Sequence, residues 1–168
     1  IKVIYGEDNR LDFYEVKGEA WKTRANSTVA LMRRDRVEFK KNGDIKLPPE
    51  MIGDELRFCQ EERFYDQIMA AHCSGSLVGK DLILTAGHCI RDEESCENTL
   101  FVFGYKMDSA SKHPLELPGG NVYGCVQIVD RQQDNNGADW AILRINKPVT
   151  DRKPLGMELA PIQKGTEV

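Results

Sequence analysis

Apolar residues recur along this chain in short alternating or continuous runs, separated by stretches rich in Gly, Pro, Asn and Asp. Runs of this kind are typical of β-strands, and the residues between them are typical of turns. Many short strands joined by loops of varied length predict an all-β fold, either a Greek-key β-barrel or a β-sandwich, with short helical turns. The six predicted strands are residues 27–32, 75–78, 82–85, 100–105, 122–129 and 140–145.

One segment has helical rather than strand-like spacing. Within residues 50–67, Leu56, Cys59 and Phe64 would share one face of a helix. Gly53 lies beside them and disfavours helix formation. The spacing therefore predicts one short helix within this range.

The composition fits one packed domain, or one lobe of a larger fold. Of the 168 residues, 40% are hydrophobic and 30% are charged. The net charge is −4, with both signs mixed along the chain, and this argues against a nucleic-acid or anionic-membrane partner, which needs a basic surface. No apolar run approaches the roughly 18 residues that cross a bilayer. The first residues, Ile1-Lys2-Val3-Ile4, are not a signal peptide, so we expect any targeting segment to be removed or outside this sequence.

The cysteines favour disulfides over a metal site. The five are Cys59, Cys73, Cys89, Cys96 and Cys125. The pairs His72-Cys73 and His88-Cys89 offer zinc ligands, but no Cys-x-x-Cys spacing accompanies them, so no metal is expected. Disulfides imply an oxidising compartment, which makes the protein secreted or periplasmic. Because the count is odd, one thiol is free or pairs with another polypeptide. Cys96 and Cys125 flank predicted strands and are candidates for a local cross-loop disulfide.

Residues 73–89 form the most informative stretch. They predict a strand, a tight Gly-Lys-Asp turn, a second strand and a corner of small residues that carries His88. A hairpin would bring Cys73 and Cys89 together, and closing a loop of about 15 residues contributes roughly 3 kcal/mol in the chain-entropy model. From the residues alone, His88 is either a structural histidine in a disulfide-closed hairpin or a functional one.

This stretch resembles the signature of the trypsin/chymotrypsin family of serine proteases, C-x-G-[ST]-L, a strand, then T-A-[AG]-H-C. The resemblance implies that His88 is the catalytic general base and that Cys73 and Cys89 form the disulfide that straddles it. Residues 3–10 (VIYGEDNR) and the V-G-K-D turn at 78–81 are similar to those of bacterial glutamyl endopeptidases and their trypsin-like relatives. The implied fold is the first of two chymotrypsin-like Greek-key β-barrels, and no cofactor is implied.

A second segment carries the same resemblance. Residues 135–145 run N-N-G-A-D-W-A-I-L-R-I, which is similar to the family's N-x-D-[IW]-A-L-[IL] segment. The resemblance assigns Asp139 as the residue that orients and stabilises the catalytic histidine; read alone, Asp139 would be a turn residue at the entry to a strand. A calcium loop at 134–139 is excluded, because Ala138 and Asp139 stand where such a loop needs a ligand and a glycine.

The nucleophile of that family has no match in this sequence. The motif G-[DN]-S-G-[GS] does not occur among the 168 residues. The resemblance therefore implies that the serine, the oxyanion hole and the main specificity pocket lie beyond Val168. The implied division of the chain is an N-terminal segment with the first strand (1–32), an insertion (33–70), the first barrel with His88 and Asp139 (71–150), and a connector to the second barrel (151–168).

Two functions remain open at this point. In the first, the chain is the N-terminal lobe of a secreted, two-chain serine endopeptidase that acts on peptide or protein substrates, and its partner is a C-terminal lobe or chain that carries the serine. In the second, it is a serine-less pseudo-protease that acts as a protein-binding module. The resemblance also suggests zymogen activation that frees an aliphatic N-terminus, with Ile1 and Val3 as candidates.

Overall fold

Nine strands and three helices occur among residues 7–134, 137–161 and 163, which are the residues described by this computed structural model. The strands are β1 (Thr28–Arg33), β2 (Glu38–Phe39), β3 (Ile45–Lys46), β4 (Cys73–Leu77), β5 (Leu82–Thr85), β6 (Thr99–Phe103), β7 (Glu116–Leu117), β8 (Val122–Gln133) and β9 (Asp139–Ile145). The helices are α1 (Glu19–Asn26), α2 (Ile52–Leu56) and α3 (Glu93–Glu97).

Six of the strands close into an antiparallel barrel in the order β1-β4-β5-β9-β8-β6. They coincide with the six predicted strands, with ends that differ by a few residues, so the prediction of an all-β barrel is confirmed. The largest difference is in β8, which continues to Gln133. This extension brings β8 alongside the start of β9, where Asp139 lies.

The barrel interior explains the sequence pattern of its strands. Along β9, buried residues alternate with partly exposed ones, and Ala141, Leu143 and Ile145 face the core. In β1 and β6 the apolar run is continuous instead, because both faces of these strands are covered. Leu31 and Phe101 belong to the interior core.

The outer face of β1 and β6 is covered by a small sheet of order β2-β3-β7. Ile45, Leu47 and Leu117 from this side are buried against Met32 and Leu100 on the outer face. The segment 33–70 therefore supplies part of a second apolar core. Its status as an insertion stays a prediction.

The prediction of one short helix within residues 50–67 is confirmed, but the expectation that Leu56, Cys59 and Phe64 share one helix face is wrong. Only Ile52–Leu56 is helical, and Arg57 ends the helix in the left-handed conformation, with φ at 53°. Phe64 also has a positive φ, of 67°, so the chain turns again and the apolar residues do not share a helix face. The ring of Tyr65 packs over Gly53 instead, where a Cβ atom would lie 2.3 Å from it.

Some expectations fall on residues outside the described ranges. These are the candidate N-terminal residues Ile1 and Val3, the whole V-I-Y-G segment at 3–6, Asn135 and Asn136, and positions 162 and 164–168 of the proposed connector. Among the helices that are described, none is both long and apolar enough to cross a membrane.

Candidate active site

His88 lies in a short 3₁₀ turn, Gly87–Cys89, directly after β5. The turn is attached to β4 by a disulfide between Cys89 and Cys73, whose Cα atoms are 6.2 Å apart. Just before the turn, the hydroxyl of Thr85 donates a 2.7 Å hydrogen bond to the carbonyl of Ser74, also on β4. These two links fix the backbone of His88 from both sides.

Strand register brings Asp139 to this turn. Strands β5 and β9 are neighbours, and Thr85 is the register partner of Ala141. Because the strands are antiparallel, Gly87, two residues after Thr85, lies level with Asp139, two residues before Ala141. The barrel thus brings Asp139 next to His88, although the two residues are 51 positions apart in the sequence.

The carboxylate of Asp139 contacts His88 twice. Oδ1 accepts the backbone N–H of His88 at 2.8 Å, and Oδ2 lies 2.7 Å from ring atom Nδ1. A carboxylate accepts a proton, so this contact favours the tautomer with the proton on Nδ1. The other ring nitrogen, Nε2, has no hydrogen bond within the described part of the chain, and the histidine side chain is 53% exposed.

The same contacts explain the acidity of Asp139. Its pKa is lowered from 3.8, first by the hydrogen bond from the His88 side chain and next by that from the His88 backbone. The carboxylate therefore stays ionised at neutral pH. A fixed carboxylate on Nδ1 with an accessible Nε2 is an arrangement that can accept a proton from a hydroxyl group.

Gly87 contributes to the site because it has no side chain. A Cβ atom there would lie 2.5 Å from the carbonyl oxygen of Gln132, 3.0 Å from that of Trp140 and 3.2 Å from Oδ1 of Asp139. The turn can therefore pack directly on the β8–β9 hairpin. The sequence pattern does not mark Gly87 as a functional residue, although Gly87 stands inside the T-A-G-H-C stretch.

Both candidate disulfide pairs are bonded in the structure. Besides Cys73–Cys89, Cys96 in α3 is joined to Cys125 in β8, with Cα atoms 5.2 Å apart. Cys59 is free and exposed. The sulfurs of Cys73 and Cys89 lie with a ring nitrogen of His88 within 4.8 Å of one another. Since the two sulfurs are bonded to each other, they do not offer thiolates to a zinc ion.

One other histidine and two serines have surroundings that do not involve His88 or Asp139. His72 lies directly before β4, and burial lowers the pKa of its ring. The hydroxyl of Ser27 donates to the carbonyl of Lys153, and that of Ser95 donates to the carbonyl of Asp92. Among the described residues, no serine hydroxyl is hydrogen-bonded to His88.

Known proteins are similar to part of this chain. Residues 60–163, more than half of the chain, match the family model described as Trypsin. No curated protein matches the chain. Among solved structures, the secreted serine protease VesC from Vibrio cholerae is similar, with a TM-score of 0.44 and 17% identity over 79% of this chain. The match covers 21% of the VesC chain, so this chain spans about a fifth of that protein's length.

Proposed function

This chain belongs to the trypsin family, and on that premise we propose that it supplies the histidine and the aspartate of the catalytic triad of a serine endopeptidase. One observation supports this above all: the carboxylate of Asp139 binds both Nδ1 and the backbone N–H of His88, at 2.7 and 2.8 Å. A structural histidine in a hairpin needs neither a carboxylate on Nδ1 nor an exposed Nε2.

In the proposed mechanism, Nε2 of His88 takes the proton of a serine hydroxyl as the serine Oγ attacks the carbonyl carbon of a peptide bond. The Asp139 carboxylate stabilises the imidazolium that forms. His88 then gives the proton to the leaving amine nitrogen as the peptide C–N bond breaks and an acyl-enzyme remains. Water, deprotonated by the same ring nitrogen, then attacks the acyl carbon, and His88 returns that proton to the serine Oγ as the ester bond breaks and the acid product leaves.

The serine itself is proposed to come from outside residues 1–168. The family's serine motif does not occur in this sequence, and the hydroxyls of Ser27 and Ser95 are hydrogen-bonded elsewhere. We propose a C-terminal lobe or chain as the partner that carries the serine and the main specificity pocket. Secretion and activation from a zymogen are part of the same proposal, and the two disulfides support an oxidising compartment.

The test uses the full-length protein, with a peptide substrate and a fluorophosphonate probe that labels activated serines. His88→Ala is expected to abolish hydrolysis and labelling. Asp139→Asn is expected to keep the fold and to lower turnover by about four orders of magnitude, because the ring loses its preferred tautomer. His113→Ala is the matched control and is expected to stay active, since no hydrogen bond among the described residues joins His113 to His88 or Asp139.

The outcomes separate the two functions. Full activity of the His88→Ala variant would overturn the assignment of the general base. A full-length protein that neither hydrolyses peptides nor reacts with the probe would contradict the endopeptidase proposal and leave a protein-binding module as the alternative.

A further inference from the structure

Arg131 lies on the same face of the β8–β9 hairpin as Asp139. In this hairpin Gln133 is the register partner of Asp139, and Arg131 is the partner of Ala141. Side chains of directly opposed residues point to the same side of a sheet, and so do those of residues two apart along one strand. All four side chains therefore share the face on which Gly87 packs against Asp139.

The guanidinium of Arg131 binds the turn that carries His88. Its Nη2 donates to the carbonyl oxygen of Gly87 at 2.9 Å and to Oε1 of Gln133 at 3.0 Å. Gln133 thus helps to hold the guanidinium in place. Because the donor is charged, the bond to the Gly87 carbonyl is stronger than one between neutral groups.

The peptide group between Gly87 and His88 is consequently held at both ends. Its carbonyl accepts from Arg131, and its N–H, which belongs to His88, donates to Oδ1 of Asp139 at 2.8 Å. Two opposed bonds fix the plane of this peptide, and the His88 side chain extends from the adjoining Cα. A donor on the carbonyl also polarises the peptide, which strengthens the bond from its N–H to Asp139.

We propose that Arg131 is a positioning residue, which orients His88 toward Asp139 by holding the carbonyl of Gly87. The inference rests on the proposed function for its catalytic consequence, although the geometry itself does not depend on it. Packing alone does not explain an arginine here, because its Nε is buried without a hydrogen-bond partner among the described residues, which carries a free-energy cost. The bonds made by Nη2 offset that cost.

The test compares variants of the full-length protein by kinetics and by nitrogen NMR of the His88 ring. Arg131→Met keeps much of the aliphatic stem and removes every donor. It is expected to lower kcat about 10- to 100-fold while KM stays within about twofold, as for a misplaced catalytic group. The NMR spectrum is expected to show less of the tautomer with the proton on Nδ1. Arg131→Lys keeps a charged donor and should recover part of both effects.

Arg144→Met is the matched control. Arg144 lies on β9, where its guanidinium binds Asp81 and Gln127 rather than the His88 turn. Its loss is expected to affect thermal stability without changing the ring spectrum or kcat. A purely structural role for Arg131 would give the Arg131→Met variant the same behaviour as this control.

The outcomes are distinct. An unchanged ring spectrum and an unchanged kcat in Arg131→Met would overturn the inference. If that variant does not fold, Arg131→Gln, whose shorter neutral side chain cannot replace the guanidinium donor, takes its place, and parental values of both quantities there would overturn the inference too. Activity in His88→Ala would defeat the proposed function whatever Arg131 does. If the protein has no peptidase activity at all, the ring spectrum still tests whether Arg131 orients His88.

Discussion

The carbonyl oxygen of Gln132 occupies the space beside Gly87, so that a Cβ atom on Gly87 would lie 2.5 Å from it. The T-A-[AG]-H-C pattern of the family admits alanine or glycine at this position. In this chain the close approach of the long β8 strand leaves room for glycine only. The His88 turn can thus contact the hairpin that carries Asp139 because Gly87 has no side chain.

Gly87→Ala is therefore expected to push the turn away from the hairpin. Overpacking against backbone atoms costs about 1–3 kcal/mol in the free energy of unfolding, and the displaced His88 should also lose turnover. Urea denaturation and kcat would measure both effects. Gly120→Ala is the matched control, because nothing lies within 4 Å of a Cβ atom at Gly120. A parental kcat in Gly87→Ala would show that the hairpin can move aside.

The pKa of Asp139 predicts a pH-dependent stability. It is lowered from 3.8 mainly by the hydrogen bonds from the side chain and backbone of His88. A carboxyl whose pKa is lower in the folded state stabilises the fold above its unfolded pKa, about 3.9, and this contribution is lost as the pH falls through the folded value. The contribution of Asp139 to the stability of the fold is therefore lost at acidic pH.

We expect the Tm of the parent to exceed that of Asp139→Asn at neutral pH, and this difference to shrink as the pH falls below about 4. Thermal unfolding followed by circular dichroism at a series of pH values measures this. Adding His88→Ala should reduce the difference at neutral pH, because it removes the main cause of the pKa shift. A Tm difference that does not change with pH would contradict the explanation.

Removal of either disulfide is expected to lower the free energy of unfolding, but removal of only one of them should also lower kcat. Replacing Cys73 and Cys89 by serine opens a loop of 16 residues, and replacing Cys96 and Cys125 opens one of 29. The chain-entropy model gives losses of about 3 and about 3.6 kcal/mol in the free energy of unfolding. Only the first pair adjoins His88. Its removal alone should therefore lower kcat by more than the fraction of unfolded protein explains. Cys59→Ser, which changes an exposed thiol, is the control.

The small outer sheet is expected to matter for stability. Ile45 is fully buried between this sheet and the outer face of the barrel. Ile45→Ala should cost about 2–5 kcal/mol in the free energy of unfolding, while the neighbouring Lys46→Ala, an exposed position, should cost little. Urea denaturation of both variants measures the contrast. Equal free energies of unfolding for the two variants would show that packing of segment 33–70 on the barrel contributes little to stability.

The chain pattern was sufficient for the barrel strands, because a strand with one buried face shows an alternating pattern and a strand with two buried faces shows a continuous apolar run. It was insufficient for β2, β3 and β7, since a period cannot be read from strands of two residues each. The short helix predicted within 50–67 forms, but its apolar face does not continue past Leu56. Its apolar spacing was helical, but the positive φ angles at Arg57 and Phe64 break the chain into turns, and Gly53 packs under Tyr65.

The sequence by itself determined the six barrel strands and singled out His88 and Asp139, because local periodicity and a spaced motif can be read along one chain. Only the tertiary structure decided that the Asp139 carboxylate bridges two atoms of His88, that Gly87 admits no Cβ atom, and that Arg131 holds the Gly87 carbonyl. These contacts join residues 44 and 51 positions apart. Their existence depends on the register of β5, β8 and β9, and a shift of one residue would turn each side chain to the opposite face.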